Sequence, residues 1–390
     1  MNVFGIVCEY NPFHLGHLYH IEQTRLMYPE ESAVVCVMGG EFVQRGDAAI
    51  FDAHARAEAA VLSGADLVLE LPLPWALSSA ENFGFGAAAI LDALGIVTHM
   101  SFGSECGDIG PLTKLAQTLS EPEFDSLLKS EVRASTGSFA ASRQKLLREI
   151  AGDEAGLLSS PNNILAVEYI KALIKLDSAV IPVTLPRSNE KPASELRSML
   201  FVRSDVTPHF PKEAMAVYER EMRLGRGPVS LESLEQAILS RLRALPAAAF
   251  DSLPDASEGL QNRLRRAAYS EPTLDAVFNA AKSKRYAMSR LRRMLLCAAL
   301  GITADTLRAA PGFTKLLAAN SRGLEILRLA KTKSRIQIIT KPASAKILPA
   351  NELKIFELGC AAADLYALGF QSPEARRGGE SWRKSPFILK

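Results

Sequence analysis

The stretch Asn2-Val3-Phe4-Gly5-Ile6-Val7-Cys8-Glu9-Tyr10-Asn11-Pro12-Phe13-His14-Leu15-Gly16-His17 decides the fold. Asn2–Cys8 is a short β-rich run and Gly16–Met27 has helical spacing, so the residues between them form a strand-to-helix turn. Working outward, Ala33–Met38 predicts a second strand, Asp52–Ser63 a helix opened by its aspartate, and Asp66–Leu71 a third strand. A helix over Ser79–Leu94, a strand over Val97–Phe102 and a charged helical stretch from Ile109 follow. The apolar run Ala179–Thr184 then lies between a helix over Asn162–Lys175 and another after Pro192. Strands that alternate with helices in this way predict βαβ units and a parallel sheet, closing near residue 184.

In such a sheet ligands bind where strands end, and the helix that follows offers free N–H groups to phosphate. His14 and His17 stand at that place, three residues apart across Gly16. Two donors there would stabilise charge growing on an α-phosphoryl group and on a departing pyrophosphate. A surface pair, or half of a zinc site, is the bland alternative for a bare HxxH, and a zinc site needs further ligands that the sequence does not supply. The order of strand, Asn-Pro-Phe turn, HxGH and helix favours nucleotide chemistry.

The wider composition agrees with a globular enzyme of two or three domains. The chain has 390 residues, 48% hydrophobic and 23% charged, which excludes a disordered or collagen-like protein. No apolar run approaches a membrane span, and no export signal is read at the start. Five cysteines without a CxxC pair argue against disulfide or metal frameworks and fit the cytoplasm. The net charge of +2 conceals an asymmetry: residues 1–120 carry 4 Lys and Arg against 14 Asp and Glu, leaving the remainder at +12. An acidic first part joined to a basic remainder points to a small-molecule site beside a polyanion-binding region. Beyond about Leu200 the pattern is mainly helical, with one β-like run at Ser334–Thr340 and a solvated tail at the end.

The turn and its flanks resemble the HxGH nucleotidylyltransferases, and more narrowly the bacterial tRNA(Met) cytidine acetate ligases. The similar segments are Val7–His20, Met38–Asp47, Asp66–Pro72, Phe102–Glu105, Ser160–Leu165 and Glu258–Leu264, in that order. The resemblance implies an α/β fold, a Rossmann-like HxGH nucleotidylyltransferase parallel sheet with a mainly helical C-terminal domain. It implies a catalytic domain over 1–200, a basic tRNA-binding domain over 201–375 and a tail over 376–390. The implied reaction joins acetate to ATP, giving acetyl-AMP and pyrophosphate, and then acetylates N4 of the wobble cytidine of elongator tRNA(Met). ATP enters as substrate and Mg²⁺ would accompany it, with no carboxylate cluster marking a protein metal site. No protein partner and no membrane are expected.

By the same resemblance His14 and His17 are catalytic. ATP contacts are expected along Val7, Cys8, Glu9, Tyr10, Asn11, Pro12, Phe13, His14, Leu15, Gly16, His17, Leu18, Tyr19 and His20, and at Gly103, Asn162, Asn163, Arg187 and Ser188. Gly103 is either a ligand-facing glycine or an ordinary strand end, and one of Asn162 and Asn163 caps a helix while the other reads nucleotide. The family's glycine-rich loop after the arginine is shortened here to Asn189-Glu190-Lys191-Pro192. Gln44 and Arg45 follow the second strand and are candidates for acetate, phosphate or RNA. Nine cations, Arg263, Arg265, Arg266, Lys282, Lys284, Arg285, Arg290, Arg292 and Arg293, with Tyr269 and Tyr286 interleaved, suit a phosphate backbone; a solvated helix face is the alternative. Two other functions compete: adenylation of a small cofactor precursor, which needs no basic appendage, and an idle RNA-binding protein, which needs no intact histidine pair.

Overall fold

The computed structural model describes residues 1–28, 31–134, 139–188, 190–257, 259–283 and 285–390. Five parallel strands form its centre: β1 (Asn2–Cys8), β2 (Ser32–Gly39), β3 (Leu67–Leu71), β4 (His99–Ser104) and β5 (Ile181–Pro186). Their spatial order is β3-β2-β1-β4-β5, so the chain reverses direction across the sheet between β1 and β4. That reversal opens a crevice at the carboxyl ends of these two strands. All eight residues of β2 are buried, as expected of a parallel strand covered on both faces.

Each face has its own helices. On one, α3 (Ala80–Ala93) and α4 (Pro161–Lys175) pack against Val3, Val35, Leu69 and Phe102. On the other, Ile6, Cys36 and Met38 meet α2 (Ala53–Leu62), α5 (Ala193–Phe201) and α6 (Lys212–Arg223). Full burial of each branched aliphatic side chain contributes roughly 1.5–3 kcal/mol, and here both faces collect it. Asp52 caps α2 as its sequence predicts, accepting the Ala55 N–H at 2.8 Å.

The sheet does not close at β5. Phe313–Ala319 (β6) lies antiparallel beside β3, and Gln337–Ile339 (β7) and Phe387–Ile388 (β8) pair in parallel with opposite ends of β6. The expected strand over Ser334–Thr340 is therefore three residues long and belongs to this sheet. The segment 376–390, expected as a solvated tail, is tied down: Trp382 meets Phe356 at 4.9 Å between ring centroids and Lys384 pairs with Asp52 at 2.9 Å. Apolar Trp382 and Phe387–Leu389 supply the burial that overrides the charged residues before them. β6 escapes sequence reading because the run Lys-Leu-Leu-Ala-Ala that makes up most of it is built of helix formers and becomes a strand by pairing with β3.

A separate helical core holds α7 (Leu260–Ser270), α8 (Leu274–Ala281), α9 (Met288–Leu300) and part of α10 (Ala350–Ala367). It seats on Phe42, Leu73 and Leu77, just beyond the ends of β2 and β3. Among the described residues no helix is long and apolar enough to cross a membrane.

Candidate nucleotide cleft

Helix α1 (Leu15–Leu26) begins at the crevice, and the two histidines cap it reciprocally. His14 Nδ1 accepts the Gly16 N–H at 3.0 Å, and His17 Nδ1 accepts the His14 N–H at 3.2 Å. An Nδ1 that accepts leaves the proton of a neutral imidazole on Nε2, so both rings keep an Nε2–H donor. Burial, then the positive charge of Arg187 and His209, lowers the His14 pKa to about 4. Burial, followed by His14, His20 and Arg187, holds His17 well below its usual value. The rings, 4.0 Å apart between centroids, are thus uncharged donors at neutral pH. Gly16 is required by closeness: a Cβ there would lie 2.8 Å from His14 Cε1 and 3.0 Å from Ser188 Oγ.

The loop before α1 is held by distant segments. Arg56 of α2 is completely buried and donates to the carbonyls of Glu9, Gly39, Gly40 and Phe51, clamping the ends of β1 and β2 together. Asn11 Oδ1 accepts the Ile50 N–H at 2.7 Å, the Asn11 carbonyl accepts from Arg197 Nη1 at 2.8 Å, and Tyr218 Oη accepts the Phe13 N–H at 2.8 Å. Tyr10 takes a left-handed φ of 45° to make the turn. Polar backbone that would otherwise be stranded is satisfied by side chains from α2, α5 and α6.

The resulting cleft has a volume of about 290 Å³. Val7, Cys8, Glu9, Tyr10, Asn11, His14, Gly16, His17, Tyr19 and His20 line it, with Gln44, Arg45, Gly103, Asn162, Arg187 and Ser188. Pro12, Phe13, Leu15 and Leu18 belong to the same turn without lining the cleft. His20 is anchored to Ser101 of β4 at 3.0 Å. Asn162 lines the cleft, whereas Asn163 is withdrawn: its Oδ1 accepts from the N–H groups of Glu105 and Cys106, and its Nδ2 donates to the Leu157 carbonyl. Glu105 takes the N-terminus of α4, accepting from Asn162 N at 3.2 Å, Asn162 Nδ2 at 2.7 Å and Asn163 N at 2.8 Å. Burial would raise its pKa, and these hydrogen bonds outweigh it and lower the pKa. Arg187 stands 3.9 Å from Glu105, and its Cγ would lie 3.7 Å from a Cβ on Gly103, an ordinary contact distance.

The expected contacts leave out several lining residues: Phe83, Phe102, Leu165, Tyr169 and Arg197. They come from four elements, and only closure of the sheet brings them together. Among the described residues no group of three His, Cys, Asp or Glu side chains could hold a metal ion.

The basic segment divides in two. Arg265, Arg266, Lys282 and Arg285 are exposed. Arg263 is engaged with the Ala280 and Lys282 carbonyls, and Arg290 with Asp255 and Ser257. Arg292 lies 3.6 Å from Asp47, and buried Arg293 reaches Asp255 at 3.6 Å and the Gln44 carbonyl at 3.5 Å. These last two fasten α9 to the loop that carries Gln44 and Arg45. Lys284, like Asn189 and Glu258, lies outside the described residues.

The profile of the HIGH Nucleotidyl Transferase family matches residues 1–381. The chain is 34% identical over 418 residues to the tRNA(Met) cytidine acetate ligase of Acetivibrio thermocellus, each covered to 100%. It is 36% identical over 415 residues to the protein of the same name from Syntrophomonas wolfei, each covered to 99%. Among solved structures, the Thermotoga maritima TmcAL bound with alpha-thio ATP superposes with a TM-score of 0.94 at 32% identity, covering 100% of both chains.

Proposed function

The chain belongs to the HIGH nucleotidyl transferase family and, within it, to the tRNA(Met) cytidine acetate ligases, and from that premise we propose that it acetylates the wobble cytidine of elongator tRNA(Met) with acetate and ATP. The observation that carries the reading is the pair of Nε2–H donors at the start of α1, uncharged and fixed by the backbone N–H groups of Gly16 and His14. Donors already oriented in a site of low dielectric constant stabilise developing phosphate charge without reorganising.

In the first step an acetate oxygen attacks the α-phosphorus of ATP, and the bond to the β-phosphate oxygen breaks. His14 and His17 donate to the oxygens whose charge grows, while Arg187 and Arg197 supply positive charge on either side. In the second step the cytidine N4 attacks the acetyl carbonyl and AMP leaves. The mixed anhydride is reactive enough that placement of the amine is the main remaining demand, and no covalent enzyme intermediate is needed. Gly103, Asn162, Arg187 and Ser188 would receive the nucleotide; Gln44 and Arg45 would stand where acetate and RNA arrive. Residues 1–200 carry this chemistry in our reading, and the basic helices within 201–375 grip the tRNA.

The test is incubation with ATP, labelled acetate and total tRNA. Acid-stable label on tRNA, accompanied by AMP and pyrophosphate, is expected. His17→Ala should slow pyrophosphate release by about 100-fold or more, the scale on which loss of one preorganised donor is felt. Pyrophosphate without label on tRNA would point to a small-molecule acceptor, and no ATP turnover would overturn the reading.

A further inference from the structure

Glu9 follows the last residue of β1 inside the cleft, yet its position is poor for contact with a triphosphate, because one anion beside another is repelled. Its Oε1 accepts the Gln44 N–H at 2.6 Å. Among the described residues Oε2 has no hydrogen-bond partner, and it is not a sealed, orphaned atom either. One carboxylate oxygen is therefore fixed and the other is open to the cleft.

The walls around it are apolar and aromatic. Gln44 Nε2 donates to the Ser78 carbonyl at 3.3 Å, which ties the Glu9 loop to the start of α3 and so to Phe83. Tyr169 packs against the same helix so closely that a Cβ on Gly84 would sit 3.2 Å from its ring. Phe102 lies 5.6 Å from Tyr169 between ring centroids. Phe83, Phe102 and Tyr169 line the cleft with Glu9, and a second, polar set lines the same cleft: Asn162 at the start of α4, and Arg187 and Ser188 just after β5. A planar base with an exocyclic amine fits the first set: extruded bases are held between apolar and aromatic side chains, and a carboxylate accepts the N4–H of cytosine.

On the functional reading above, we infer that this part of the cleft receives the extruded wobble cytosine and that Glu9 Oε2 binds its N4 amine and takes its proton during acetyl transfer. As N4 attacks, the N–C bond forms and the bond from the acetyl carbon to the adenylate oxygen breaks. AMP departs with that electron pair, and the N4 proton passes to Glu9 and from there to solvent. The groups facing Glu9 are Arg56 of α2, Arg197 of α5, Arg45 of the loop and Tyr169 of α4. Burial raises the Glu9 pKa against the lowering by the Gln44 N–H and the three arginines, which moves it toward the range useful to a base at neutral pH.

Glu9→Gln keeps an oxygen for the Gln44 N–H and removes the base. Acetate-dependent pyrophosphate release without tRNA and single-turnover acetyl transfer to tRNA are to be measured side by side. Transfer should fall by about 100-fold or more, the usual worth of a general base, while adenylation falls only a few-fold. Equal falls in both steps would place Glu9 on ATP or in the scaffold and overturn the inference, as would an undiminished transfer rate. If the unaltered protein forms no acetyl-adenylate at all, it is the functional reading that fails, whatever the variant does.

Discussion

At the scale of single residues, the cleft depends on histidines that stay neutral. Burial lowers His14 and His20 to about 4 and His54 to about 3, and holds His17 well below normal, whereas an unfolded histidine titrates near 6.5. The unfolded chain therefore binds protons that the folded chain refuses. Stability from these groups is complete above about pH 6.5 and is lost as pH falls from there toward about 4. Glu9 and Glu41, raised by burial, act in the opposite direction, so the informative measurement is a comparison. Thermal unfolding of His54→Gln should show a shallower acid fall than the parent, by about one proton in slope. Identical slopes would mean that His54 is not held neutral. Arg56 is the complementary case: a buried cation whose hydrogen bonds go to carbonyl oxygens, and whose loss would leave several buried acceptors unsatisfied at about 1–3 kcal/mol each.

Elements meet at a hairpin of two-residue strands, Phe42–Val43 and Asp47–Ala48, that carries Gln44 and Arg45 into the cleft. Its turn is Gly46, with φ of 75°, and a Cβ there would lie 2.6 Å from both Arg292 Cβ and the Arg293 nitrogen. The backbone of α9 sits directly on the hairpin, and the Arg292 and Arg293 side chains hold it there. Gly46→Ala must therefore push the helix away, costing about 1–3 kcal/mol in chemical denaturation, as overpacked sites do. An unchanged midpoint would show that the contact yields freely. This junction is where the acidic sheet and the basic helices join. Its logic is invisible in sequence because Gly46 and Arg292 are 246 positions apart.

Over the whole molecule, charge divides as the arithmetic of the chain implies, but fewer cations remain for RNA than the count of nine. Arg263, Arg290, Arg292 and Arg293 are spent on neighbouring carbonyls and carboxylates, and Arg265, Arg266, Lys282 and Arg285 are exposed. Arg265→Glu with Arg266→Glu should weaken tRNA binding and lower the slope of log affinity against log salt by about 2, the effect being confined to tRNA use. A slope that does not move would leave this helix a solvated face. By itself the sequence determined the strand, turn and helix of residues 2–26, the parallel βαβ order and the histidine pair. Those features are written in periodicity and in caps that reach only two or three residues along the chain. Only the tertiary structure decided that β6 to β8 complete the sheet, that Asn163 turns away while Asn162 lines the cleft, that Arg56 and Arg197 brace the loop, and that Phe83, Phe102 and Tyr169 gather around Glu9. These depend on neighbours tens to hundreds of positions distant, which come within bonding range only when both faces of the sheet are covered and water is excluded between them.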